Sequence, residues 1–168
     1  MGIIGRITSD LRLMLQRPPR QQFAAICHRR KKKTNEIEVL VITSRDTGRW
    51  VIPKGWHMPG KLPHAIAERE AYEEAGIKGK AGRDPIGYYT YAKRMDGGLK
   101  VPTRVQVYSL QVKSMVKDFP EKGSRKLEWV TCEEAASRVD EPELKILFRA
   151  FPLMSTAAEN PKKSAQVA

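Results

Sequence analysis

Hydrophobic residues along this chain recur at two spacings, one typical of strands and the other of helices. Apolar and β-branched runs predict strands over residues 21–28, 36–44, 86–94, 103–112 and 126–130, with a short apolar lead at residues 50–52. Helical spacing and helix-start signals predict helices over residues 1–17 and 63–75, after Thr131 and after Asp140. This alternation predicts an α/β fold in which a mixed sheet is sandwiched between helices.

The best-defined helix is the one over residues 63–75. Pro63 suits the first turn, because the N–H that it lacks would be unpaired there, and Gly76 suits the left-handed position that ends a helix. One side of the helix carries small residues at four-residue spacing, Ala67, Ala71 and Ala75. That stripe lets the helix lie close against a sheet.

The two ends of the chain differ from its middle. Residues 1–17 place apolar side chains near helical spacing before Pro18 and Pro19 stop the helix, which predicts an amphipathic segment over residues 1–18. Its apolar face is expected on the domain, on a membrane surface or against a second chain. Residues 19–154 form one domain, and the small, polar residues 155–168 predict a disordered tail.

The charge balance bears on the partner. The chain has 31 Lys and Arg against 19 Asp and Glu, a net charge of +12, which favours polyphosphate, nucleotide, nucleic acid or a membrane surface. The basic run at residues 29–33 is typical of a solvated turn, with phosphate contact as the alternative. Apolar runs are too short to span a bilayer, and no secretory signal is evident, so we expect a cytoplasmic protein. Cys27 and Cys132 lack metal-ligand spacing and are expected to be reduced core thiols.

Three glutamates provide the candidate chemistry. Glu70, Glu73 and Glu74 are spaced i, i+3 and i+4 on the helix over residues 63–75, so their carboxylates project from one face. Clustered carboxylates suit a hard divalent cation, Mg²⁺ first and Mn²⁺ as a substitute. The alternative is a solvated acidic face without a ligand.

The stretch from Gly55 to Ile77 resembles the Nudix box, G-x5-E-x7-R-E-U-x-E-E-x-G-U, where U is bulky and aliphatic. The matching positions are Gly55, Arg69, Glu70, Glu73, Glu74, Gly76 and Ile77. Lys61 stands where the box has its first glutamate, and Ala71 is a small residue for U. Residues 43–53, 75–83 and 123–129 are similar to the diphosphoinositol polyphosphate phosphohydrolase branch, whereas Pro53-Lys54-Gly55 resembles diadenosine polyphosphate hydrolases.

The resemblance implies a Nudix-type α/β/α sandwich that hydrolyses a phosphoanhydride bond in a diphosphoinositol polyphosphate or a diadenosine polyphosphate. It implies that metal is held by the Gly55 carbonyl and by Glu70, Glu73 and Glu74, which Arg69 orients. A phosphorylated small molecule is favoured over nucleic acid as the partner, and the oligomeric state is open. The candidate phosphate contacts are Arg45, Lys54, Arg125 and Lys126.

Other roles remain open at this stage. The general base is either a free oxygen of the box carboxylates or a later glutamate, Glu121 or Glu128. Lys61 either lies beside the carboxylates, where it pairs with them or reaches substrate, or is a solvated surface lysine. The alternative to an enzyme is a non-catalytic phosphate sensor or nucleic-acid-binding module on the same fold.

Overall fold

The computed structural model describes residues 19–159, with side chains described for residues 19–155. In chain order the elements are β1 (Arg20–Arg30), β2 (Ile37–Thr43), β3 (Trp50–Val51), β4 (Lys54–Trp56), α1 (Pro63–Ala75), β5 (Ile77–Ala81), β6 (Gly87–Arg94), β7 (Lys100–Met115), β8 (Leu127–Thr131), α2 (Cys132–Arg138) and α3 (Pro142–Glu159). The predicted N-terminal amphipathic segment lies outside the described residues.

The strands described over residues 19–159 join in one mixed sheet, with β1 at its centre. β1 pairs antiparallel with β2 and β4 and parallel with β7. β7 also pairs with β5 and β6, whereas β2 pairs with β3 and β8. The parallel pairing of β1 with β7 makes the sheet mixed, as the sequence predicts.

The two faces of the sheet are covered by different helices. Alternate β1 side chains divide between two cores: Phe23 and Ala25 face one, and Ala24 and Ile26 face the other. The first core contains α1 residues, including the alanine stripe, and the second contains α2 and α3 residues. This arrangement confirms the α/β/α sandwich, because the helices lie on opposite faces of one sheet.

The helix α1 begins and ends where the sequence predicts. Pro63 occupies its first turn, and Gly76 closes it with φ 66°. Ala67, Ala71 and Ala75 are fully buried against the sheet. Gly76 connects the end of α1 directly to the start of β5.

Three segments differ from the sequence-based prediction. No strand was predicted over β4, which pairs with β1. β5 was not predicted, because Lys78, Gly79 and Lys80 break its apolar pattern, although it pairs with β7 at the edge of the sheet. The helix α3 continues to Glu159 and so includes the first residues of the predicted tail. The small, polar composition of this segment predicted disorder. Its alanine and glutamate residues nevertheless favour a helix. The rest of the tail lies outside the described residues.

Cys27 and Cys132 are free and buried in the two separate cores, in agreement with the prediction of reduced core thiols. Burial raises the pKa of the Cys132 thiol to about 11. Within residues 19–159, no helix has the length and apolar character needed to cross a membrane.

Candidate active site

A cavity of about 350 Å³ lies between α1, β4 and the loops that follow β2 and precede β8. Its size falls in the range of small-molecule sites. Its lining residues are Gln22, Ser44, Arg45, Asp46, Lys54, Gly55, Trp56, His57, Met58, Glu70, Glu74, Lys93, Glu121 and Arg125. Most are polar or charged, which suits a polar ligand.

The structure divides the three box glutamates. Glu70 and Glu74 line the cavity, whereas Glu73 does not. The Glu73 carboxylate instead accepts a hydrogen bond from Arg69 one helical turn before it. The three carboxylates therefore share a helix face without converging at one point, because Arg69 draws Glu73 outward.

The backbone at Gly55 passes directly against Glu70. A Cβ placed at Gly55 would lie 2.0 Å from the Glu70 Cδ atom. A side chain at this position would therefore require the Glu70 carboxylate, the end of a flexible side chain, to move aside. The arrangement brings a backbone segment and a carboxylate together at the cavity wall.

Burial and neighbouring charge raise the pKa values of the cavity carboxylates. The pKa of Glu70 rises to about 7, mainly through burial and then through Glu74, Glu73 and Glu121. Burial also raises the pKa of Glu74, opposed by the positive charges of Lys54 and Arg125. A carboxylate cluster of this kind binds a cation well, since the cation relieves the repulsion.

Arg125 is committed to three protein acceptors. Its Nη2 atom donates to Glu74 Oε1 at 2.7 Å, its Nε atom to Glu121 Oε2 at 2.9 Å and its Nη1 atom to the Thr43 carbonyl at 3.0 Å. Its side chain is only 7% exposed. The structure brings Arg125 to the cavity, as the sequence predicts, but engages it with carboxylates.

Lys54 and Arg45 supply positive charge to the same cavity. The Lys54 N–H donates to Glu74 Oε2 at 3.3 Å, and its Nζ atom lies 5.8 Å from the Tyr91 ring centroid. Burial lowers the pKa of Lys54 to about 8, although Glu74 opposes the shift. Arg45 is exposed at the rim, with Nη1 3.4 Å from Glu121 Oε1.

Three other candidates lie away from the cavity lining. Lys126 is exposed, and its backbone N–H donates to Thr43 Oγ1. Glu128 pairs with Arg138. Lys61 is exposed and lines a shallow depression beside Arg69, so it does not lie beside the cavity carboxylates. The loop at residues 57–62 turns Lys61 outward, which spacing in the sequence does not reveal.

Several lining residues were not identified from the sequence. Gln22, Asp46, Trp56 and Lys93 reach the cavity from four different elements or loops. Lys93 Nζ lies 3.2 Å from Asp46 Oδ2, although the two residues are far apart in the chain. Alternation along β1 and β4 could have suggested that Gln22 and Trp56 share a face, but not that the face borders a cavity.

The donor set fits a hard divalent cation. Glu70 and Glu74 present carboxylate oxygens beside the Gly55 backbone, and Mg²⁺ or Mn²⁺ prefers such oxygen ligands. Within residues 19–159, no three acidic, histidine or cysteine side chains are already gathered for a metal. Arg69 engages Glu73, and Arg125 engages Glu74.

Solved structures share this fold. The diadenosine tetraphosphate (Ap4A) hydrolase of Caenorhabditis elegans superposes with a TM-score of 0.62 and 21% identity, covering 82% of this chain and 98% of that protein. The dihydroneopterin triphosphate pyrophosphohydrolase of Escherichia coli gives a TM-score of 0.59 at 16% identity, covering 78% and 93%. The chain therefore shares its fold with both of these proteins.

Sequence comparison reaches the same family. The NUDIX domain matches residues 18–151, so the chain belongs to the Nudix family. Human diphosphoinositol polyphosphate phosphohydrolase 3-alpha is 35% identical over 119 residues, which cover 69% of this chain and 66% of that protein. The chain thus matches just under two thirds of that relative's length.

Proposed function

We propose that this protein is a metal-dependent hydrolase that cleaves a phosphoanhydride bond in a nucleoside- or inositol-linked diphosphate. The observation that carries the proposal is that one cavity is lined by both kinds of charge, the carboxylates of Glu70, Glu74 and Glu121 together with the cations of Lys54 and Arg45. The acidic group suits a cation and the basic group suits phosphate, and hydrolysis of a phosphoanhydride needs both.

Mg²⁺ or Mn²⁺ is the proposed cofactor, with Glu70, Glu74 and the Gly55 carbonyl as its ligands at the cavity. Glu73, which lies outside the cavity lining, would join them only by leaving Arg69. When bound, such an ion neutralises charge on the bridging phosphates and lowers the pKa of attacking water. Arg69 holds the Glu73 carboxylate and thereby limits its orientations.

Glu121 is the proposed general base. It lines the cavity, whereas Glu128 pairs with Arg138 outside it. Glu121 is held by Arg125 on one oxygen and approached by Arg45 on the other. In this proposal the Glu121 carboxylate accepts the proton of the attacking water as the new phosphorus–oxygen bond forms and the phosphoanhydride bond breaks, with the departing phosphate as leaving group.

Lys54 and Arg45 are the proposed phosphate contacts. Both line the cavity, and Lys54 is half-buried whereas Arg45 is exposed. Their ammonium and guanidinium groups donate charge-assisted hydrogen bonds to phosphate oxygens. Lys93, which pairs with Asp46, adds a third cation to the cavity lining. These contacts hold the substrate while the terminal bond is cleaved.

The relatives support two substrate classes. One is named as a diphosphoinositol polyphosphate phosphohydrolase and a structural neighbour as an Ap4A hydrolase. The direct test is phosphate release from members of both classes, with Mg²⁺ and with chelator. Turnover that requires metal supports the proposal, whereas metal-independent turnover, or none on either class, contradicts it.

A further inference from the structure

The loop between β7 and β8, residues 116–126, carries two residues of the cavity lining, Glu121 and Arg125. Met115, the last residue of β7, pairs with Ile77, the first residue of β5, so the loop starts beside the end of α1. Ordering each residue of such a loop costs conformational entropy. Its side chains therefore reach the cavity reliably only where specific contacts hold the loop in place.

Two main-chain hydrogen bonds attach this loop to the end of α1. The Val116 N–H donates to the Gly76 carbonyl at 2.8 Å, and the Glu121 N–H donates to the Glu73 carbonyl at 3.0 Å. The last carbonyls of a helix have no partner within the helix, and Glu121 supplies one for Glu73. The backbone of Glu121 is thus attached to the helical turn that also carries Glu74.

Phe119 packs on Gly76 between these two hydrogen bonds. A Cβ built at Gly76 would lie 2.5 Å from Phe119 Cδ1 and 2.8 Å from the Val116 carbonyl oxygen. The edge of the ring therefore lies directly over the glycine, where a side chain would collide with backbone as well as with the ring. Phe119 is partly buried, and the apolar area that it removes from water stabilises the loop on α1.

Beyond Phe119 the loop turns tightly. The Lys122 N–H donates to the Phe119 carbonyl at 3.1 Å, and the Ser124 N–H donates to the Glu121 carbonyl at 3.0 Å. Glu121 thus lies inside the turn that Phe119 and Lys122 close. Because this turn is short and hydrogen-bonded, the position of the ring on α1 sets the position of the Glu121 backbone.

The side-chain contacts of Glu121 are open to competition from ligands, unlike its backbone contact. Its carboxylate is held by Arg125 and approached by Arg45. Arg125 also holds Glu74, a proposed metal ligand, and Arg45 is a proposed phosphate contact. A bound cation competes for Glu74, and phosphate competes for Arg45. The attachment of the loop to α1 uses neither group, so it holds Glu121 whether the cavity is empty or occupied.

We propose that Phe119 is a positioning residue, whose packing on Gly76 holds Glu121 at the cavity. The inference rests on the proposed hydrolase function, in which Glu121 is the general base. Phe119 does not line the cavity, so it acts only through the loop. Its removal shifts Glu121 relative to the carboxylates of α1 without removing any group that is proposed to contact substrate.

The kinetic test compares the wild type with Phe119→Ala and Phe119→Tyr. We expect Phe119→Ala to lower kcat about tenfold to 100-fold, because a misplacement of about 1 Å can cost about 100-fold in rate. KM should change less than about twofold, since no group proposed to contact substrate is lost. Phe119→Tyr keeps a ring edge over Gly76 and should retain a kcat near that of the wild type.

Leu147→Ala is the matched control. Leu147 also lies over a glycine, because a Cβ built at Gly87 would lie 2.4 Å from Leu147 Cδ2. It is a partly buried residue of α3 that packs against the core on the other face of the sheet, and it does not line the cavity. This variant should lose packing and keep its kcat. A wild-type kcat in Phe119→Ala, or an equal fall in Leu147→Ala, would overturn the positioning role.

Amide hydrogen exchange separates this inference from the proposed function. The exchange of the Glu121 amide is measured by NMR in the presence of a chelator and without substrate, with the Val139 amide as the reference. Val139 also donates to a carbonyl at a helix end, that of Ala135. We expect Phe119→Ala to speed exchange at Glu121 about tenfold or more, because the loop opens locally, and to leave Val139 unchanged.

Faster exchange at Glu121 in Phe119→Ala, restored in Phe119→Tyr and absent in Leu147→Ala, supports the positioning role even if no substrate is hydrolysed. Unchanged exchange at Glu121 in Phe119→Ala contradicts that role and leaves the hydrolase proposal standing.

Discussion

Arg125 Nη2 lies 2.7 Å from Glu74 Oε1, and the side chains of both residues are less than a tenth exposed. The pair joins the loop before β8 to α1. The same guanidinium also holds Glu121, so one side chain fixes the relative positions of two cavity carboxylates. Arg125 therefore acts in the free protein as the internal counter-ion of the acidic group.

Removing that counter-ion should destabilise the fold. We expect Arg125→Ala to lower the free energy of unfolding by about 3–5 kcal/mol, because it leaves Glu74 buried without its partner. Urea denaturation measures the change. Lys126→Ala, at the exposed neighbouring position, is the control and should change stability by less than about 0.5 kcal/mol. Equal effects of the two substitutions would show that the buried pair contributes nothing.

The Glu70 pKa predicts a pH dependence in the metal-free protein. Because folding raises that pKa from its usual 4.5 to about 7, the folded state binds the proton more tightly than the unfolded state between these values. The contribution to stability is thus full below pH 4.5 and is lost as the pH rises through 7. Glutamine mimics the protonated carboxyl at every pH.

We therefore expect Glu70→Gln and the wild type to be equally stable near pH 4.5, and the variant to be more stable at pH 8. The measurement is urea denaturation at both pH values in the presence of a chelator. A stability difference that does not change with pH would mean that Glu70 titrates normally.

The sequence allows two positions for Lys61, beside the carboxylates or on the surface, and the structure places it in a separate depression. A lysine beside the carboxylates would compete with metal, so Lys61→Glu would tighten Mg²⁺ binding. Because the structure turns Lys61 into a separate depression, we expect Lys61→Glu to leave the half-saturating Mg²⁺ concentration unchanged. Lys78→Glu, in the same depression, is the matched control. Tighter Mg²⁺ dependence in Lys61→Glu alone would place this lysine at the metal site.

The phosphate contacts should affect binding more than chemistry. We expect Lys54→Met and Arg45→Ala to raise KM more than they lower kcat, because both are proposed to hold phosphates away from the attacked phosphorus. Steady-state kinetics on the preferred substrate provides the measurement. Lys126→Ala should leave KM unchanged, since Lys126 lies outside the cavity lining. The assignment fails if Lys126→Ala has the larger effect.

The sequence predicted α1 well because its signals are local. Proline in the first turn, an alanine stripe and a terminal glycine lie within one short segment, and each acts through backbone conformation or packing. The shared helix face of Glu70, Glu73 and Glu74 follows from their i, i+3 and i+4 spacing. β5 was not predicted because its lysines face solvent at a sheet edge, where tertiary pairing overrides the weak local pattern.

The cavity contacts were harder to predict because they depend on the meeting of distant segments. The sequence indicated that Arg125 is a cation near the site, but it did not indicate which carboxylates Arg125 contacts. Glu74 lies on α1, and Glu121 lies in the loop before β8. Gln22 was not identified from the sequence as a candidate site residue. Its position opposite Trp56 depends on the register of β1 with β4, which local patterns do not specify.

The most direct test of the account is the Mg²⁺-dependent turnover of Glu70→Gln at saturating metal, beside the wild type and Glu133→Gln. Glu133 is an exposed glutamate on α2 and serves as the control. Glu70→Gln should remain folded and lose about 100-fold or more in kcat, because even partners of metal ligands typically account for 10- to 100-fold. Glu133→Gln should match the wild type. Wild-type turnover in folded Glu70→Gln would contradict a metal-dependent active site in this cavity.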